Sequence, residues 1–563
     1  MKRFLVIGGV VVIGALALLF IFQQRNSHDV FGVAGLLPEN TALLLHIPDA
    51  EKARGDWQQT DLFQLYHEPA VQDFLRTAKA ELRARGEVSD VLRDSAVLRL
   101  RDIFIATSSI DPLRLAGGFE FRAGEAESHR LIEAWKNRWL GANAMHDKVE
   151  YQKHAIEITT TPRLTLASTF VGHRFFAATS VDDLKTLLDR FDGRSKSSRL
   201  SAEGNFRTAM RQMPSGYAAL LYVQPQMFAR KFAALRAEAR RVPALAGETS
   251  QIRSFSHALV FEGAKLREVD FIRMPRTGDR KLARDTLASV PADALLFVAA
   301  VVNWQSQFAN TESRKRMLGA ADLSPADVAA AFDDQVSIRA KWPPSARLPA
   351  VSLAVPVRDA ARARQVTAAL AAASGWESNV QGNFQVFAAP PSGLALMRLV
   401  AALSDKKLAF AFDVPTAERA AASAAAANSL AAAANFKQMS GLVPPAQTLF
   451  AWLDLGTLYS RLDATLRPLL QISAAFLPER SQPFDVARLP AAAVVAKHLG
   501  TVIASQMYVD EGYRLESVGS ITFDQAALVA AGAYAGSAIF GKKGPWSAHS
   551  GVVPVPASPA PTP

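Results

Sequence analysis

LLPENTALLLHIP, residues 36–48, and SVPADALLFVAAV, residues 289–301, open two stretches of chain that repeat one another. In each, a proline (Pro38, Pro291) ends a loop and launches a short apolar run. Working outward, the same order of segments recurs. FEFRAGEAESHRLIEAW from Phe119 matches VPVRDAARARQVTAAL from Val355, each a strand, an arginine and a helix. VEYQKHAIEI from Val149 matches NFQVFAAP from Asn383. HRFFAATSVDDLKTLLDRF from His173 matches KKLAFAFDVPTAERAAASAA from Lys406, with Ser180 and Thr416 as expected helix N-caps. MPSGYAALLYVQ from Met213 matches VPPAQTLFAWLD from Val443, and EGAKLRE from Glu262 matches EGYRLES from Glu511. Six matches in one order imply a duplicated unit rather than similar punctuation in unrelated domains.

Each unit mixes short alternating strands with amphipathic helices such as Glu125 to Leu140. Tight turns at Glu262-Gly263 and Glu511-Gly512 favour antiparallel hairpins. The fold class expected is therefore α+β: two tandem related repeats, at 36–275 and 287–525, of mostly antiparallel sheet with helices on one face.

Ahead of the repeats, FLVIGGVVVIGALALLFIF at 4–22 is nineteen uncharged residues behind Lys2-Arg3. A helix of about 20 apolar residues spans a bilayer, so 1–25 reads as an uncleaved transmembrane anchor with a cytoplasmic N-terminus. The competing reading, a cleaved signal peptide at Ala15-Leu16-Ala17, would leave apolar residues at the new terminus. The expected location is the inner membrane, single-pass, with the bulk of the chain periplasmic. At the other end, 526–541 reads as a closing helix too short to span. The tail 544–563 is Pro- and Ala-rich and reads as disordered.

The 563 residues carry 63 Lys plus Arg against 52 Asp plus Glu and no cysteine. The excess cations are scattered, which argues against a nucleic-acid partner. Without cysteine there is no disulfide, thiolate nucleophile or Cys-ligated metal. The ten histidines include no pair at i, i+3 or i, i+4, so no helical metal site is expected. His46, His154 and His257 lie in strand patterns and read as satisfied structural residues. No nucleophile elbow, phosphate loop, dinucleotide fingerprint or EF-hand occurs. Ser404-Asp405-Lys406-Lys407 fits S-x-x-K but reads as a turn. No catalytic residue, metal ligand or cofactor is thus expected, and the chain reads as non-enzymatic. The segment from Gly55 is amphipathic and aromatic, and Trp57, Phe63, Tyr66 and Phe74 are its candidate membrane- or partner-contact residues.

Three features of that region carry a resemblance: Leu37-Pro38 with Thr41, Trp57 with Thr60 and Leu62, and Pro69 with Phe74. Together they resemble a group of uncharacterised bacterial membrane-anchored envelope proteins, a domain-of-unknown-function family with Leu-Pro-x-x-Thr repeat openings. The resemblance covers the first repeat and implies an envelope protein without an active site. The expected role is binding or scaffolding in the periplasm beside the membrane, with an envelope protein or a lipid as the expected partner. A lipid or hydrophobic-ligand carrier is the first alternative and a hydrolase with an unrecognised site the second.

Overall fold

The computed structural model describes residues 30–77, 79–80, 97–110, 112–141, 144–162, 164–228, 251–309, 312–390, 398–422, 428–476 and 486–526. The first half supplies β1 (Leu43–Asp49), β2 (Arg101–Ile110), β3 (Leu113–Glu120), β4 (Met145–Tyr151), β5 (His154–Thr160), β6 (Thr165–Val171), β7 (Arg174–Ala178), β8 (Ala219–Val223), β9 (Ser254–Glu262) and β10 (Lys265–Arg273). The second supplies β11 (Leu296–Val301), β12 (Gln335–Lys341), β13 (Ala350–Pro356), β14 (Glu377–Gln381), β15 (Phe384–Ala388), β16 (Val400–Leu403), β17 (Lys407–Ala411), β18 (Leu449–Asp454), β19 (Thr501–Val509) and β20 (Gly512–Gly519).

All pair antiparallel into one 20-stranded sheet. Its order in the first half is β4-β5-β6-β7-β3-β2-β1-β8-β9-β10. It continues β20-β19-β18-β11-β12-β13-β17-β16-β15-β14. Read inward from either edge, the connectivity is the same. The two halves meet where β10 pairs with β20. Two isolated bridges also correspond, Pro38 with Arg199 and Pro291 with Ser429.

The register at the seam is symmetric. The two hairpins superpose at an offset of 509 − 262 = 247, because Glu262 pairs with Lys265 as Val509 pairs with Gly512. At that offset the counterpart of Val269 is Glu516, which is also its cross-strand partner. The pseudo-twofold axis relating the halves therefore passes through the Val269–Glu516 pair, between Glu268 and Asp270 on β10. The two hairpins flanking the seam turn differently. The first turns at Gly263 with φ +59°, the second through Asp510 and Glu511 at φ +46° and +62°.

The helices of the first half are α1 (Val30–Ala34), α2 (Ala50–Gln58), α3 (Asp61–His67), α4 (Pro69–Phe74), α5 (Glu125–Leu140), α6 (Val181–Phe191) and α7 (Gly204–Met210). Those of the second are α8 (Trp304–Ala309), α9 (Glu312–Ala320), α10 (Pro325–Ala331), α11 (Ala360–Ala373), α12 (Val414–Ala421), α13 (Ala434–Ser440), α14 (Leu455–Phe476) and α15 (Ala492–Ala496). Asp413 rather than Thr416 caps α12, accepting from the Thr416 N–H at 2.8 Å. Ser180 occupies the N-cap of α6 without a side-chain bond.

Two features of the expected fold class are corrected. The repeats are not tandem separate units, because their last strands pair and make one sheet. The helices do not lie on one face. Phe104, Phe176, Leu220 and Ala258 join one core with α1, α6 and α7. Their chain neighbours Ile103, Phe175, Ala219 and Leu259 join a second core with α2 and α5. Side chains alternate across a strand, so successive apolar residues mean that both faces are covered. The second half repeats this, with Val355 packed beside α10 and α11 and Ala354 beside α12.

The transmembrane anchor is corrected as well. Among the described residues, no helix is long and apolar enough to cross a membrane. The 22-residue α14 has the length, but it carries Arg461, Asp463, Arg467 and an internal Pro468, and charge at mid-helix is costly in hydrocarbon. The single-pass inner-membrane placement, with its signal anchor and periplasmic bulk, is therefore unsupported. The stretch 4–22 on which it rested lies outside the described residues, as do 544–563 and all but the first residue of 526–541.

Candidate functional site

At the seam, β9 and β10 bring charged side chains into the interior. His257 and Asp270 face each other in register. Glu268 and Asp270 stand two apart on β10 and so share a face. Both are buried, at 1% and 3% exposure. Immediately after β20 the chain turns so that Asp524 joins them. His257, Glu268, Asp270 and Asp524 each offer one donor atom, and these four atoms lie within 4.8 Å of one another.

The imidazole Nδ1 is 2.9 Å from Asp270 Oδ1 and 3.2 Å from Glu268 Oε1. The Asp524 backbone N–H donates to Glu268 Oε2 at 3.3 Å. Asp270 Oδ2 is buried without a hydrogen-bond partner. Among the described residues, no lysine or arginine pairs with Glu268, Asp270 or Asp524. Burial, reinforced by the neighbouring Asp270 carboxylate, pushes Glu268 up to about 7. The same two causes push Asp524 up to about 6. For His257, burial favours the neutral ring, but the hydrogen bond and charge of Asp270 with the charge of Glu268 outweigh it and hold the imidazole above its ordinary value.

These shifts give a stability profile. Glu268 titrates near 4.5 when unfolded and about 7 when folded, so the folded state holds the extra proton between those values. Stability from this group falls as pH rises through that window. His257 has the same sign: its contribution is present at low pH and lost as pH rises through its folded value. Glu157 and Asp333 oppose this. Desolvation raises both, but for Glu157 Lys136 and His146 outweigh it, and for Asp333 the Asp334 N–H and Arg358 do. Held low, they contribute stability that is lost as pH falls below about 4–5. In chelator-treated protein, the melting temperature should peak near pH 5, with a loss on the order of 1–3 kcal/mol by pH 8. Glu268→Gln should flatten the fall; an unchanged slope would remove Glu268 as its source.

The quartet was not expected from the sequence, where His257 read as a satisfied strand residue. A signal was present in REVDFIR, where acids alternate with Val269 and Phe271. Alternation alone places the acids on solvent; the seam instead buries them.

The other two strand histidines, His46 and His154, have structural partners. His46 is fully buried in β1, with Nδ1 2.7 Å from the Tyr217 hydroxyl and Nε2 3.7 Å from Asp102 Oδ1. His154 pairs with Asp192 at 2.8 Å. The nearest approach to a hydrolase arrangement is Thr159, His146 and Glu157. There the hydroxyl and the carboxylate both address Nδ1, at 3.4 and 3.3 Å. A working triad needs one ring nitrogen for each partner. Ser404 Oγ accepts from the Lys406 and Lys407 backbone N–H groups and so closes a turn.

Of the expected contact residues, Trp57 packs on Phe261 with ring centroids 5.9 Å apart and meets Phe63 edge-on at 6.4 Å. Tyr66 and Phe74 are half-buried along α3 and α4. That segment is strapped to the second half by Glu68, which meets Lys497 and His498 at 2.7 Å each, and by Asp73, 3.2 Å from Arg488. Two clefts stand out among the described residues. The larger, about 290 Å³, is open to solvent and lined by Phe104, Phe119, Phe176, Asp102, Glu120 and Arg174; the other holds about 40 Å³.

The fold and its seam define a class: a duplicated antiparallel-sheet protein with a buried acid–histidine cluster beside its pseudo-twofold axis. No protein-family model and no curated protein sequence matches the chain. Among solved structures, crystal form I of TP0453 aligns at 7% identity and a TM-score of 0.25, covering 44% of this chain and 80% of that one. Crystal form III of TP0453 aligns at 9% identity and 0.26, covering 46% and 84%. Likenesses this distant carry no argument about fold or function.

Proposed function

We propose that the protein is a non-enzymatic binding protein that holds a partner protein against the outer face of α14. The carrying observation is a leucine stripe on that helix. Leu462, Leu466, Leu469 and Ile472 are 37%, 44%, 60% and 59% exposed. The first three recur at i, i+4 and i+7, one face of a helix. Leu348, 55% exposed, belongs to the adjacent loop, where the Arg347 carbonyl accepts from the Thr465 hydroxyl at 3.5 Å. The opposite side of α14 is fastened: Arg467 pairs with Asp463 and donates to the Leu489 carbonyl at 3.0 Å. A contiguous exposed apolar stripe beside packed cores marks a protein contact, and its spacing suits the apolar face of a partner helix.

The carrier alternative asks for an enclosed apolar cavity of about 300–1,000 Å³. The larger cleft falls just below that range, is open, and is rimmed by three charged groups.

The test is a photo-crosslinking residue at position 469 of the full chain, in the producing cell. The expected product is one protein adduct of fixed mass, lost in Leu466→Glu/Leu462→Glu while the circular dichroism is unchanged. Adducts to lipid alone, or an adduct indifferent to the glutamates, would overturn the proposal.

A further inference from the structure

We infer that His257, Glu268, Asp270 and Asp524 form a binding site for one divalent transition-metal ion, of the Zn²⁺ or Mn²⁺ class, beside the pseudo-twofold axis.

Three carboxylates have been gathered where burial makes each charge expensive. In folded proteins such charges are paired with cations or coordinate a metal. No lysine or arginine among the described residues supplies the pairing. Among the described residues His257 is the one cationic group facing them, and with all three ionised a single imidazolium cannot balance them. A second, independent observation points the same way. Asp270 is buried, its Oδ1 takes the imidazole, and its Oδ2 has no hydrogen-bond partner. A buried carboxylate oxygen left unpaired keeps its full desolvation penalty, and a bound cation would satisfy it.

The geometry fits. Ligands in a tetrahedral site with bonds of about 2.0–2.2 Å lie roughly 3.3–3.6 Å apart. The His257 Nδ1 to Glu268 Oε1 distance of 3.2 Å is already there, and all four donors lie within 4.8 Å of one another. Small rotations of Asp524, which follows the last strand, would close the set. Three carboxylates against a dication leave one net negative charge, where the metal-free cluster carries up to three. The imidazole sets the metal class. Ca²⁺ takes about 6–8 oxygens and Mg²⁺ keeps several waters. A buried one-nitrogen, three-oxygen set suits Zn²⁺ or Mn²⁺ better.

The duplication sharpens the assignment. At the offset of 247, the counterparts of His257, Glu268 and Asp270 are Ala504, Leu515 and Ser517. The second half lacks every one of these ligands. The ligand set therefore occurs once, beside the axis, so the expected stoichiometry is one ion per chain.

The experiment uses the full chain, stripped with chelator and titrated calorimetrically with Zn²⁺ alone, Mn²⁺ alone and Ca²⁺ alone, with bound metal read by mass spectrometry. The expected result is about one equivalent per chain with a raised melting temperature. Asp270→Asn and Asp524→Asn should each abolish stoichiometric binding. Asp524 is half-buried at the end of the described chain, so its variant decides the matter if Asp270→Asn fails to fold. No saturable binding of either ion, binding that survives Asp524→Asn unchanged, or binding of Ca²⁺ in preference to both would overturn the inference. None of these readouts involves the α14 stripe.

Discussion

Arg101→Met is expected to cost about 3–5 kcal/mol of stability, the usual penalty for stranding one partner of a buried ion pair. Arg101 Nη2 lies 2.9 Å from Asp49 Oδ2, and the two side chains are 6% and 2% exposed. They are cross-strand partners where β1 meets β2. Asp49 does a second job: its Oδ1 accepts from the Lys52 N–H at 2.9 Å and caps α2. The methionine keeps the apolar stem of arginine and leaves the Asp49 charge unneutralised at the foot of that helix. Asp49→Asn in the same background should restore part of the loss, because asparagine still caps and brings no charge. The measurement is the midpoint of the first urea transition, followed by circular dichroism. A loss below about 1 kcal/mol would show that the pair is solvated and ordinary.

The second large effect is at the seam. Phe271 is fully buried in the middle of β10, and Phe271→Ala should cost about 3–5 kcal/mol as a large-to-small core change. Gly512, the cross-strand partner of Arg273, opens β20 beside the Phe271 ring. A Cβ there would stand 2.5 Å from Phe271 Cζ and 2.7 Å from the Ile272 carbonyl oxygen. Gly512→Val should therefore cost about 1–3 kcal/mol or more through overpacking. The double variant should be milder than the sum, since the space left by the ring accepts the valine methyls. It should not be neutral, because the Ile272 carbonyl is backbone and cannot retreat without breaking the β10–β20 ladder. Strict additivity would mean that the two residues do not share that space. Hydrogen exchange should show β10 and β20 losing protection together in either single variant.

Much of the local structure was legible. The proline-led strand openings at Pro38 and Pro291 and the helix Glu125–Leu140 follow from turn chemistry and from periods of two and 3.6. Each depends on residues close in the chain. Less legible were the features that depend on distant chain. LLLHI in β1 reads as a buried strand, but nothing in it says that Leu44 and Ile47 enter different cores. Glu268 and Asp270 alternate with apolar residues as a solvated face would. Trp57 and its aromatic neighbours read as a surface stripe, yet Trp57 packs on Phe261.

By itself, then, the sequence determined that the chain is built twice from the same kinds of short strand and amphipathic helix, because hydrogen-bonding turns and side-chain periodicity act over a few residues. Only the tertiary structure decided that β10 would pair with β20, closing two halves into one sheet. That pairing joins residues some 240–250 positions apart, where no local preference reaches. It is also what carries three carboxylates and a histidine out of water to the axis between the halves.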